Sequence, residues 1–109
     1  MRVVSFQELR DLFNDLYLER YNKGEFVEEV VEWNRPHARS GQEWGTRSQR
    51  VRLTDRASGR VIAIIHRFRH FTGELRGSEK PDPKRVWAEG VWYWARGESR
   101  RARGKTPSP

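Results

Sequence analysis

The chain of 109 residues has no cysteine and only one methionine. Without thiols it can form neither a disulfide staple nor a thiolate zinc site. The absence of cysteine is compatible with a reducing cytoplasm, which is the expected location. No uninterrupted apolar run approaches about 18 residues, so no segment reads as a membrane-spanning helix. The first ten residues, MRVVSFQELR, lack the apolar stretch of a signal peptide. Also missing are a Gly-x-Gly-x-x-Gly fingerprint, a P-loop and a nucleophile elbow. No cofactor and no metal is therefore called for, and no motif names a reaction.

What the chain does have is charge, unevenly placed. Residues 1–34 hold four basic and eight acidic side chains, and residues 35–71 hold nine basic and two acidic. Residues 72–95 balance at four and four, and the tail 96–109 carries five basic and one acidic. The length suits one domain, assigned to 1–95, with 96–109 as a flexible basic tail that lacks apolar periodicity. A segregated basic region favours polyanionic partners, nucleic acid first among them. The same balance is also what a soluble domain from an arginine-rich proteome would show.

Ser5, with Glu8 three residues on, has the spacing of a capping box, and Val4 and Leu9 stand at the staple positions. From there Phe6, Leu9, Phe13, Leu16 and Tyr17 recur at helical spacing, with Leu12 and Tyr21 near the same side. Gly24 suits the left-handed position past a helix end. The helix is expected over 6–22, with Glu8, Asp11, Asp15 and Glu19 on its wet side. Residues 26–33 and 85–95 fit either a strand or a helix. Their β-branched and aromatic content favours strand in both. The acids Glu25, Glu28, Glu29 and Glu32 read as a solvated face. Arg2 to Val4 is a short edge strand or a lead-in. The expected fold is α+β, with an N-terminal helix on an antiparallel sheet of about four strands.

The densest positive charge lies in TRSQRVRLTDRASGRVIAIIHRFRHF, residues 46–71, which reads as a β-hairpin turning near Gly59. Its register decides its faces. A two-residue turn sets Leu53 against Ile64 and gathers Arg50, Arg52, Arg67 and Arg69 on one face. A three-residue turn with a glycine bulge sets Leu53 against Ala63, and Arg50 and Arg52 then share a face with His66 and His70.

The candidate nucleic-acid ligands are Arg47, Arg50, Arg52, Arg67 and Arg69 on the hairpin and Arg100, Arg101 and Arg103 in the tail. The arginine fork matches phosphate oxygens. Phe68, Trp92 and Trp94 are the candidates for stacking on unpaired bases or for an interface. Five tryptophans are unusual in so short a chain, and most are expected in the core. His66 and His70 face one way on a strand but stand about 13 Å apart, too far to share a metal. A histidine among arginines also suits acid–base work in RNA cleavage.

The run RVRLTDRASGRVIAIIHRFRH, about a fifth of the chain, resembles the central hairpin of the RelE/HigB-like ribosome-dependent ribonuclease toxins. That resemblance implies a small basic fold with N-terminal helices against an antiparallel sheet. It nominates Arg50, Arg52, His66, Arg67 and Arg69, with His66, Arg67 and Arg69 as the catalytic set. Three readings result. The leading one is a non-enzymatic nucleic-acid-binding or accessory protein acting on RNA or DNA. The second is a metal-independent ribonuclease, and the third is a protein-interaction or oligomeric module.

Overall fold

Ser5 starts the helical layer. In a computed structural model, which describes residues 1–34, 46–70, 75–76 and 81–96, the Glu8 N–H donates to Ser5 Oγ at 3.0 Å. The Ser5 N–H donates to Glu8 Oε1 at 2.9 Å, which completes the capping box. Helix α1 (Phe6–Phe13) passes through a π-helical turn (Asn14–Leu18) into α2 (Glu19–Asn22) with helical backbone throughout. The segment therefore covers the range that the periodicity predicts, and Gly24 takes the left-handed φ of 73° just beyond it.

The π-turn has a physical reason in the spacing of the apolar residues. Leu9, Phe13, Tyr17 and Tyr21 recur every fourth position. In a pure α-helix each such step overshoots one turn by about 40°, so three steps would carry the stripe about 120° round the axis. A wider turn needs more residues to close and brings the stripe back. Phe13 and Tyr21 are buried, and Tyr17 packs against the core and donates its hydroxyl to the Trp87 carbonyl at 2.5 Å. Leu16, expected on the stripe, is instead 45% exposed because the π-turn rotates it outward.

The second layer is a mixed sheet built from β1 (Arg2–Val4), β2 (Phe26–Asn34), β3 (Thr46–Asp55), β4 (Val61–His70), β5 (Leu75–Arg76), β6 (Asp82–Ala88) and β7 (Val91–Ala95). Its path is β1-β7-β6-β4-β3-β2, and the two-residue β5 pairs with β4 off that path. The α+β class stands, but the sheet is larger than four strands and is not wholly antiparallel. Two causes account for this. The stretch 85–95 is not one strand: Glu89 and Gly90, with φ of 52° and 79°, turn it back so that Ala88 faces Val91. In addition, β1 joins β7 in parallel, with Val3 opposite Trp94. The residues 26–33 do form a strand. The tail from 97 onward lies outside the described residues, as does the predicted loop at 35–45.

A two-residue turn with both residues at positive φ suits Asn-Gly and strains glutamate, whose Cβ crowds the backbone there. Glu89→Asn is expected to stabilise the fold by about 1 kcal/mol. This would be read as a higher denaturant midpoint at an unchanged m-value. A lower midpoint would reject the turn geometry.

The core lies between the layers. Leu9, Phe13 and Tyr21 meet Val51, Leu53, Ile65 and Val86. Among the described residues, no helix is long and apolar enough to cross a membrane.

Candidate nucleic-acid interface

Register sorts the charged residues onto two faces. Leu53 stands opposite Ala63 and Thr54 opposite Val61, which leaves Ile62 as the extra residue of a bulge. This is the second of the two expected registers, although the connection is a loop over 56–59 closed by Asp55 and Arg60. Alternation then puts Arg50 and Arg52 on the face away from the helix, with Ile64, His66 and Phe68. It puts Arg47, Arg67 and Arg69 on the helix side. The four arginines Arg50, Arg52, Arg67 and Arg69 are therefore not one surface.

Arg67 is a structural residue in this arrangement. Its side chain is 4% exposed. Its Nε donates to Gln49 Oε1 at 3.0 Å, and Nη1 donates to both the Tyr21 hydroxyl and Glu28 Oε1 at 2.9 Å. Helix, β2, β3 and β4 thus meet on one guanidinium. Arg69 is half-buried, and its Nε has no hydrogen-bond partner. The proposed catalytic set is split by the sheet, since His66 lies on one side and Arg67 and Arg69 on the other. On its own side His66 shares a 2.6 Å hydrogen bond between Nε2 and Ser48 Oγ and packs edge-on against Phe68.

The open face is ordered in rows. One row crosses the whole sheet: Glu29, Arg52, Ile64, Arg85, Trp94 and Val3 are successive neighbours on β2, β3, β4, β6, β7 and β1. A second row sets Glu32, Arg50 and His66 side by side. A shallow groove of about 530 Å³ follows these rows, lined by Arg50, Arg52 and Arg85 together with Ile64, Val61 and Trp92. The Arg85 guanidinium lies 5.7 Å from the Trp94 ring centre and that of Arg60 4.4 Å from the Trp87 ring centre. Trp87 and Trp92 meet edge-to-face across the hairpin at 5.5 Å. No described element covers this face.

The tryptophans depart from expectation. Trp87, Trp92 and Trp94 are partly exposed on the open face and not in the core, which the helix's own Phe13 and Tyr21 fill. Trp92 and Trp94 do share a face with Tyr93 opposite, as alternation requires. Sequence reasoning missed Arg60, Arg85 and Trp87. Gly90 was the available signal: read as a hairpin turn, it folds Arg85 beside Trp94. The remaining predicted ligands Arg100, Arg101 and Arg103 lie outside the described residues, and so does the side chain of His70.

Two of the hairpin's cations, Arg52 and Arg67, find their acids on β2. Arg52 Nε is 3.4 Å from Glu29 Oε1, an ion pair without a formed hydrogen bond, and Arg67 takes Glu28. The helical acids make local contacts instead, such as Glu19 with Lys23 at 3.1 Å. Arg20 ties the helix end to the hairpin through Asp55 at 2.6 Å and pairs with Glu25, just before β2, at 2.9 Å. No family model matches this chain, and no curated protein or solved structure matches it significantly.

One titration probes the charge layout. The Arg20 hydrogen bond first, and then that of Ser58, hold the Asp55 carboxyl below its ordinary value. A depressed folded pKa stabilises the protein above the ordinary value of about 4, and the contribution disappears as pH falls through the folded value. Asp55→Asn is expected to lower the melting temperature at neutral pH. The gap from the parent protein should narrow as the pH drops below about 4. A gap that stays constant with pH would reject the Arg20–Asp55 pair as its source.

Proposed function

We propose that the chain binds nucleic acid on the helix-free face of its sheet, with Arg50, Arg52 and Arg85 meeting phosphates. The observation that carries this reading is the convergence of three guanidinium groups from two strands, β3 and β6, on one groove lined also by Ile64, Val61 and Trp92. Arginine presents paired donors to phosphate oxygens, and an apolar aromatic floor beside them suits a ligand that is anionic along its backbone and flat elsewhere. The reading is of binding without catalysis, since His66, Arg67 and Arg69 do not share a surface. Arg100, Arg101 and Arg103 add positive charge to the same chain.

The test is fluorescence anisotropy with labelled RNA and DNA oligonucleotides over a salt series. Affinity is expected to fall linearly in log–log form with salt. Absence of binding to either polymer at low salt overturns the reading.

The protein-interaction reading draws on a different observation. Strand β2 is the edge of the sheet and exposes Val27, Val30 and Val31. The interleaved Glu28, Glu29 and Glu32 are the kind of charge that guards an edge against pairing, so this reading stands second.

A further inference from the structure

We infer that the groove takes one unpaired base against the Trp92 ring while the arginines hold the flanking phosphates, so that the ligand is a single strand. This rests on the nucleic-acid reading above and narrows it. Three features of the face support it. First, Arg52 and Arg85 are neighbours of the same residue, Ile64, from either side. Their strands are two spacings apart, about 10 Å, with an apolar strip between the two cations. Second, the groove of about 530 Å³ has the size of a pocket for a small organic group. A smooth phosphate track would not need such a floor. Third, the face has three tryptophans among the described residues, and two already carry a cation: Arg60 lies on Trp87 and Arg85 on Trp94. No described cation lies over Trp92, which lines the groove itself.

A duplex turns its phosphates outward and keeps its bases stacked, so it would touch the arginines and leave the floor of Ile64, Val61 and Trp92 unfilled. A single strand can rotate a base off its backbone and cover that floor. Every base has a π-face, so the site is expected to tolerate sequence. Arg52 Nε is buried 3.4 Å from Glu29 Oε1 without a hydrogen bond, but the side chain is 41% exposed, so its outer guanidinium nitrogens can meet a phosphate oxygen as the strand settles.

The experiment compares four labelled probes of equal length on the full chain: oligothymidylate, oligouridylate, an abasic strand with the same phosphate backbone, and a duplex. Oligothymidylate and oligouridylate are expected to bind about ten-fold or more tighter than the abasic strand. The ratio between those two separates DNA from RNA as the preferred source. The duplex is expected to bind no better than the abasic strand. Trp92→Ala should remove the preference for bases over the abasic strand, and Trp92→Phe should restore most of it. Far-ultraviolet circular dichroism checks that both variants fold, and the comparison of probes on the unaltered chain stands whether or not they do. Binding of the unaltered chain with equal affinity for all four probes overturns the base pocket and leaves the polyanion reading intact. Preference retained in a folded Trp92→Ala variant overturns the assignment to Trp92. No binding to any probe overturns both readings.

Discussion

Arg67→Ala is expected to lower the stability of the domain by about 3 kcal/mol without changing the salt dependence of any nucleic-acid binding. The side chain is nearly fully buried and holds Gln49, Tyr21 and Glu28 at hydrogen-bond distance. Truncation opens a cavity where the helix meets three strands of the sheet and strips the cation from Glu28. Breaking a buried pair from one side costs about 3–5 kcal/mol. The lower end applies because Glu28 keeps 34% of its side-chain surface in water and can rehydrate. For a domain of this size the loss corresponds to a fall in melting temperature of about 12–24 °C. Thermal unfolding followed by circular dichroism measures it. A change below about 1 kcal/mol would show that the network is not structural and would return Arg67 to the list of surface ligands.

The opposite pattern is expected for Arg50→Gln, Arg52→Gln and Arg85→Gln combined. Glutamine keeps much of the stem that lies along the sheet and removes the charge. If each arginine meets one phosphate, the log–log salt slope for a single strand should shrink by about 2, since each neutralised phosphate contributes about 0.7. At low salt the affinity should fall about a hundred-fold or more. The melting temperature should change far less than in Arg67→Ala, because these side chains lie on the open face. Anisotropy titrations at several salt concentrations give both numbers. An unchanged slope would remove this groove as the phosphate site, whatever the chain's overall affinity. The two experiments together are expected to separate the arginines by role, Arg67 changing stability and the other three changing binding.

Both outcomes turn on something the one-dimensional pattern left open. The hairpin itself was legible, because alternation on either side of Gly59 has a period of two and nothing else in the chain competes for that stretch. The helix was equally legible from Ser5, Glu8 and the apolar stripe, since caps and periodicity are local. The hairpin at Glu89 and Gly90 was not, because the turn begins with a glutamate at positive φ, which composition does not advertise. That one turn accounts for the miscounted strands, for the missed Arg85 and for the position of Trp87. The tryptophans were misplaced for a related reason. A large aromatic is usually core, but here the helix supplies its own aromatic residues to the core, and the sheet's far side is left to Trp87, Trp92 and Trp94.

The sequence by itself determined the α+β class, the capped helix, the central basic hairpin and the separation of an acidic front from a basic middle. All of these follow from local propensity, period and charge, which act between residues close along the chain. Only the tertiary structure decided which arginines face solvent. A bulge of one residue at Ile62 reverses the strand's faces relative to its partner, so Arg67 goes into the core beside Tyr21 and Glu28 while Arg50 and Arg52 go to the groove. Strand pairing across β4 and β6 then brings Arg85 within reach of that groove from a distant part of the chain. Local rules do not carry this information, because the energy that selects the register is the burial of Val51, Leu53 and Ile65 against a helix some 40 residues earlier in the sequence.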